Sequence, residues 1–320
     1  MRWLVAFVLF AAAVIGFGWF WEKYNFEQAP GPADHATVVL IDAGSGVKAI
    51  AGKLKAANVI SDENLFALGV RIRGSRLKAG EYEFPAHATM AQAAEIMASG
   101  HSIQHKITAA EGLTSQMIYD LVKSDPVLVG DPGPVPDEGT LLPETYLFTR
   151  GTTRAQILAQ MHAAQAKFLE EHWAGRAQPL PYGTKDEVIV LASIVEKETG
   201  IASERAHIAG VFVNRLNTGM KLQSDPTIIY GITRGYPLGR RIKESEITAL
   251  TPYNTYVIPG LPSAPICNPG KDAIAAVLNP QTTEDVFFVA NGTGGHAFAK
   301  TVDEQNRNVA AWRKIHIPQK

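Results

Sequence analysis

LASIVEKETG, Leu191–Gly200, sets two glutamates at the end of a run of side chains that belong in a core. Thr184 and Glu187 just upstream have the spacing of a capping box, and Gly200 stands where a left-handed stop would fall, so the pattern predicts one helix over 185–199. At about 100° per residue, Val188, Ile189, Val190, Leu191, Ala192, Ile194 and Val195 wrap most of its circumference, as in a helix buried on nearly all sides. Glu196 then projects between Ala192 and Ile189, and Glu198 between Leu191 and Ile194. Both lie on arcs expected to be shielded from water, whereas Lys197 points elsewhere. Desolvation disfavours the charged form and moves a glutamate from about 4.3 toward roughly 6 to 7, a range useful to a general acid. The helix therefore supplies one or two candidate acids. Pairing of either carboxylate with a nearby Arg or Lys is the plainer alternative.

Downstream, a helix is expected over 203–217, with Ile208, Val211, Phe212 and Leu216 toward the core and Gly219 as its stop. Glu204 falls in its first turn, where a carboxylate complements the helix dipole, and reads as a cap. LQSDPTIIYG (222–231) follows, then TPYNTYVIPGLPSAPICNPG (251–270), a loop dense in Tyr, Asn, Thr and Pro. Such loops make binding surfaces, because tyrosine and asparagine offer stacking and hydrogen bonds at low entropic cost. Pro226, Pro252, Pro262 and Pro265 read as scaffold. A short helix over 272–278, a buried strand over 286–290 and a glycine-rich turn at 292–296 complete this half.

Upstream, 37–41 is a β-branched run, and Gly44-Ser45-Gly46 turns the chain into a helix with Val47, Ile50, Ala51 and Leu54 on one face. Ser61 or Asp62 opens a second helix, 80–84 reads as a strand, and 89–99 as a helix stopped by Gly100. This strand-helix-helix-strand unit resembles a LysM-like module, whose relatives bind N-acetylglucosamine-containing wall glycan. From Ile103 the register changes: a strand over 103–108, Glu111-Gly112, a helix over 114–122, a Pro-rich loop over 125–136, then EGTLLPETYLF (138–148) and a long helix over 153–173.

The first segment departs from the rest. Trp3 to Trp21 carries no charge, a length that at 1.5 Å per residue matches a bilayer's hydrocarbon core of about 30 Å. It ends in Phe17, Trp19, Phe20 and Trp21 where a signal peptidase requires small residues, so an uncleaved anchor is expected. Trp19, Trp21 and Tyr24 suit the headgroup belt, and Arg2 favours a cytoplasmic N-terminus. Residues 27–36 read as a tether. The 320 residues are 46% hydrophobic and 19% charged with a net charge of -1, ordinary globular material without the basic stripe that nucleic acid requires. A single cysteine, Cys267, rules out an intrachain disulfide and is expected buried and inert. Scattered histidines, no HExxH, no Walker pattern and no G-x-S-x-G elbow leave neither a metal site nor a cofactor expected.

Taken together, LASIVEKETG, VFVNRL, LQSDPTIIYG, TPYNTYVIPGLPSAPICNPG and FVANGTGGHAFAKT resemble the YceG-like family, the endolytic murein transglycosylases (MltG). GTLLPETY and EGLTSQMI follow the family pattern less closely. The resemblance implies a single-pass inner-membrane protein with a periplasmic catalytic domain. Such a lyase cleaves peptidoglycan glycan strands between N-acetylmuramic acid and N-acetylglucosamine and leaves 1,6-anhydro-muramyl ends, in association with peptidoglycan synthases of elongation or division. The family's catalytic glutamate is the first of the VEKE string, here Glu196. Gln223, Asp225, Tyr230, Tyr253, Asn254, Thr255 and His296 fall inside family motifs as candidate substrate contacts.

The residue chemistry agrees. A transglycosylase needs one carboxyl that first donates a proton to the glycosidic oxygen and then accepts one from the muramic acid C6 hydroxyl, whereas most glycoside hydrolases need a second carboxylate about 5 to 9.5 Å away. Glu198, about 200° around an ideal helix from Glu196, is poorly placed for that second role. Asp225 and Glu204 remain alternatives, and with them a hydrolytic muramidase; a non-catalytic peptidoglycan-binding scaffold is the other class in play. The expected architecture is α+β: a transmembrane anchor with flanks (1–24), a linker (25–36), a LysM-like subdomain (37–102) and a larger α+β catalytic domain (103–320).

Overall fold

The computed structural model describes residues 2–316; Met1 and residues 317–320, the outer ends of the expected anchor and catalytic domain, lie outside the described residues. The chain forms two compact units, one of residues 1–106 and 147–151, the other of 107–146 and 152–320.

The first unit opens with α1 (Arg2–Glu27), whose Trp3–Glu27 stretch is long and apolar enough to cross a membrane. Next come β1 (Thr37–Ile41), α2 (Val47–Ala56), α3 (Glu63–Arg73), β2 (Gly80–Phe84) and α4 (Met90–Ser99). β1 and β2 pair antiparallel, Thr37 opposite Phe84 and Ile41 opposite Gly80. Their alternation turns Val39, Ile41, Tyr82 and Phe84 into a core shared with Leu54, Phe66 and Met97. Asp62 caps α3 by accepting from the Asn64 and Leu65 N–H groups, Thr89 caps α4, and left-handed Gly74 and Gly100 end these two helices.

Part of the stretch expected as a linker, 25–36, is packed. α1 continues to Glu27, and Phe26 is fully buried in this core, its ring against Gly69, where a Cβ would stand 2.2 Å from the ring. The Arg73 guanidinium covers the same ring at 4.0 Å and pairs with Glu22 and Glu27 at 3.1 and 3.2 Å. Ala33 is buried too, its carbonyl accepting from the His87 N–H.

The chain passes between the units within β3 (His105–Thr108) and again within β4 (Thr145–Phe148), which pair with each other; α5 (Ser115–Ser124) lies between them in sequence. The second unit continues with α6 (Arg154–Trp173), α7 (Lys185–Glu198), α8 (Ala202–Asn217), α9 (Asp225–Thr233), α10 (Glu244–Ile247), α11 (Lys271–Leu278), the hairpin β5 (Phe287–Ala290) and β6 (His296–Ala299), and α12 (Val302–His316). α7 is its axis: Val188 through Val195 are all buried, with α8, α9 and α11 packed around them. The Thr184–Glu187 capping box forms, but the helix ends differently from expectation. Thr199 turns out in an extended conformation, and Gly200 does not adopt a left-handed φ. The strand expected to be buried, β5, is half-exposed. α9, α10 and α12 were not anticipated; α9 begins with Asp225-Pro226, a proline in the first turn whose missing N–H costs a helix nothing.

Candidate active site

Three segments distant in sequence meet at the C-terminal end of α7. The first attachment is along the helix. Ser193, fully buried, accepts from the Ile266 N–H at 3.0 Å, and the Cys267 thiol reaches the Ser193 carbonyl at 3.4 Å, so 266–270 runs beside α7. Cys267 is buried, and burial pushes its thiol well above the usual range, as expected of an inert cysteine.

The second attachment is Asn268. Its N–H and Nδ2 both donate to the Leu113 carbonyl, its own carbonyl accepts from Gly112, and its Oδ1 accepts from the Leu141 N–H at 2.9 Å. Nδ2 also reaches Ser115 and Glu138 at 3.1 and 3.2 Å. Glu138 further accepts from the Ser115 N–H and the Tyr230 hydroxyl, at 2.8 and 3.0 Å. Burial raises the proton affinity of its carboxyl above the ordinary range, against these hydrogen bonds. This buried network welds the 111–115, 138–141 and 266–270 loops together, and Glu111 and Gly270 are carried to Glu196 on two of them.

At the centre, the Glu196 side chain is only 6% exposed. Its Oε2 accepts from the Gly270 N–H at 2.9 Å, and its Oε1 lies 3.9 Å from Arg205 Nη2. Arg205, on α8 and 10% exposed, is 3.5 Å from Glu111 by the same nitrogen and 3.2 Å from Asp272 by Nη1. Lys197 does not contact the carboxylates; its Nζ donates to the Gly112 carbonyl at 3.3 Å and steadies the turn, where Gly112 is left-handed (φ +75°). Burial raises the proton affinity of Glu196, and the negative charge of Glu111 adds to it. The Gly270 hydrogen bond and the Arg205 and Lys197 charges oppose the shift, which stays upward.

Glu198 has a separate set of partners. Ser224 donates to it, and burial with the nearby Asp225 pushes it up to about 7, against His296 and Arg215. Its shift is large, yet among the described residues its carboxylate accepts from the Ser224 hydroxyl and from no backbone N–H. Glu204 is not simply a cap. It accepts from the His296 N–H and Nδ1 at 2.9 and 2.7 Å; burial works to raise it, but these bonds prevail and hold it below the usual range. Gly295 passes so close that a Cβ would lie 2.5 Å from the Glu204 carboxylate.

The remaining sequence candidates divide. Tyr230 and Tyr253 form an edge-on pair with centroids 4.9 Å apart, and Arg234 lies over both rings. Gln223 is exposed on a left-handed residue (φ +50°), and Asp225 accepts from the Tyr256 hydroxyl at 2.7 Å. Asn254 and Thr255 are buried scaffold. The Asn254 amide donates to the Glu246, Ile247 and Ala249 carbonyls, and Thr255 accepts from the Ser224 N–H. None of these hydrogen-bonds to Glu196.

Glu111, Arg205, Asn268 and Gly270 were not singled out from the sequence. Arg205 carried a signal: it shares a helical stripe with Ile208 and Phe212, and a charged residue in an apolar stripe asks for a partner. A hollow of about 530 Å³, walled by Asp137, Glu138, Ile189, Tyr253 and Pro265, does not include Glu196. Two smaller ones border the cluster, one of about 250 Å³ at Lys197 and one of about 290 Å³ at Arg205 and Asp272. The convergence of charged groups, rather than volume, marks the site.

Residues 39–311 match the YceG-like family, and the chain belongs to it. Two proteins named endolytic murein transglycosylase are similar. One, from Streptococcus pneumoniae serotype 2 (strain D39), is 36% identical over 54% of this chain, which spans about a third (32%) of its length; the other, from Bacillus subtilis (strain 168), is 27% identical over 92% of this chain and 89% of its own. A crystal structure of a yceG-like protein from Listeria monocytogenes is 29% identical, covers 86% of this chain and 99% of its own, and superimposes with a TM-score of 0.51.

Proposed function

We propose that this protein is a membrane-anchored endolytic lytic transglycosylase acting on peptidoglycan glycan strands, with Glu196 as acid and then base. The observation that carries the reading is the Glu196 carboxyl: shielded, raised in proton affinity, and oriented by the Gly270 N–H. A group in that state is protonated nearer neutral pH than a free glutamate, as donation to a glycosidic oxygen requires. Once it has given up its proton, the same carboxylate accepts the proton of the muramic acid C6 hydroxyl as that oxygen closes on C1, so no water is consumed. The names of the pneumococcal and Bacillus relatives support the substrate class.

In this reading α1 is a single-pass inner-membrane anchor with its N-terminus in the cytoplasm and both units in the periplasm, near the synthases that make new strands. The strand-helix-helix-strand arrangement of the first unit supports a LysM-like glycan-holding role. Tyr230, Tyr253, Gln223 and Asp225 are the substrate contacts to test first; Asn254 and Thr255 act through the loops they hold.

The test is mass spectrometry of products from the detergent-solubilised full chain with uncrosslinked glycan strands, beside Glu196→Gln. Products one water lighter than hydrolytic ones, with turnover reduced about 10²-fold or more in the variant, are expected. Reducing-end muramic acid would make the protein a muramidase, and binding without cleavage a scaffold. The full chain is required because truncation at residue 30 would remove Phe26 from a core.

A further inference from the structure

We infer that Glu111 is a second catalytic carboxylate, which faces the positive charge developing on the sugar ring while Glu196 moves the proton. The inference rests on the glycan-cleaving reading above.

Four observations place it. Glu111 and Glu196 approach one guanidinium nitrogen, Arg205 Nη2, at 3.5 and 3.9 Å, so the two carboxylates are neighbours. Both also flank Gly270: its N–H binds Glu196, and the position a Cβ would take is 1.9 Å from Glu111 Oε1. Only glycine lets the two approach the same backbone. Their surroundings divide them, since the Glu111 side chain is 43% exposed and that of Glu196 6%. Two carboxyls with one shielded and one open to solvent is the arrangement that lets one donate a proton while the other stays charged. Finally, among the described residues the contact with Arg205 is the one polar engagement of the Glu111 carboxylate, so Oε1 is free for substrate.

No other acid nearby is equally free. Glu138 is saturated by Ser115, Asn268 and Tyr230, Asp272 is 68% exposed and pairs with the other guanidinium nitrogen, and Glu198 and Glu204 have partners of their own. Arg205 is held by these carboxylates rather than by its own satisfaction: its Nε is buried without a hydrogen-bond partner, an arrangement rare unless something else fixes the group.

In the reaction, the C1–O bond breaks with its electron pair going to the leaving oxygen, which takes the Glu196 proton. The ring becomes oxocarbenium-like, and the C6 oxygen then bonds to C1 and releases its proton to Glu196. Glu111 neither gains nor loses a proton; it opposes the charge and, through that same charge, favours the protonated form of Glu196. The other groups facing Glu196 are Arg205 from α8, Lys197 from its own helix, the Gly270 N–H and, behind it, the Cys267 thiol. Of the charged ones, Glu111 is the anion.

The test is kcat/KM against pH for wild-type full chain, Glu111→Gln and Glu111→Asp on uncrosslinked strands, with thermal melting of each. Because Glu196 acts protonated, activity falls as pH rises through its pKa, and removing the Glu111 charge lowers that pKa. Glu111→Gln is expected to lose about 10²- to 10³-fold in kcat and to move the basic limb to lower pH. Glu111→Asp keeps the charge, so its limb stays near that of the wild type with part of kcat recovered. Turnover of Glu111→Gln within twofold of wild type, or a loss with an unmoved limb and a lowered melting temperature, overturns the inference. If Glu111→Gln does not fold, Glu111→Asp with wild-type kcat overturns it and a tenfold or greater loss at wild-type melting temperature upholds it. The two readings fail separately: an active Glu196→Gln sinks the reading of Glu196 as acid and then base, whereas an inactive Glu196→Gln beside an unaffected Glu111→Gln sinks only the role of Glu111.

Discussion

Replacing Gly270 by alanine isolates the site from the fold. Gly270 precedes α11 with φ -73° and ψ 169°, values open to any residue, so the added methyl brings no backbone strain. Its N–H still reaches Glu196. The methyl would, however, stand 1.9 Å from Glu111 Oε1, 2.3 Å from its Cδ and 2.8 Å from its Cγ, where ordinary contact begins near 3.4 Å. The carboxylate must therefore retreat by about 1.5 Å, and because it is the far end of a half-exposed side chain it can do so cheaply. Helix capping loses about 0.5–1 kcal/mol, and the reduced freedom of the unfolded chain returns about 0.4–1 kcal/mol, so net stability moves by less than about 1 kcal/mol. That corresponds to a melting shift within about 4 °C. A misplacement of about 1 Å at a reacting centre costs up to about 10²-fold in rate. Turnover of uncrosslinked strands, followed by chromatography of products, should thus fall about 10²-fold in a protein that melts almost as wild type. Wild-type turnover in Gly270→Ala would refute the argument, since it would mean that the position of the Glu111 carboxylate is immaterial.

Two further outcomes concern stability. Glu198 is raised from 4.5 to about 7 in the folded chain, so its neutral form favours folding below about pH 4.5 and that contribution is lost as pH rises through 7. Glu198→Gln should therefore gain on the order of 3 kcal/mol over wild type between about pH 5 and pH 8, read by urea unfolding at both; a pH-independent difference would contradict it. Phe26→Ala, within the stretch 25–36 expected as a linker, should cost about 3–5 kcal/mol in denaturant unfolding followed by circular dichroism, because the ring is fully buried over Gly69. An unchanged midpoint would restore the tether.

Local patterns carried much of the fold. The Thr184–Glu187 box, the apolar circumference of α7, the helix starts at Thr89 and Thr153 and the left-handed glycines 100 and 219 are short-range signals, and they set helix ends within a residue or two. Where such signals competed, the reading slipped. Gly200 looked like a stop but Thr199 had already left the helix, and α9 was hidden in a motif read for its chemistry. The family motifs likewise brought together residues of unlike duty: Asn254 and Thr255 satisfy buried backbone, while Tyr230 reaches a carboxyl from a different motif.

By itself the sequence determined that α7 is buried, that two glutamates end it on shielded arcs and that an apolar helix opens the chain, since each follows from periodicity along a single element. Only the tertiary structure decided which acid stands beside Glu196. Glu111 and Gly270 lie far from it along the chain and Arg205 stands on the next helix, and they meet through one guanidinium, one backbone N–H and an absent Cβ. Proton affinity at a carboxyl depends on the charges and donors within a few ångströms of it, and those neighbours are set by packing between elements, which no local pattern encodes.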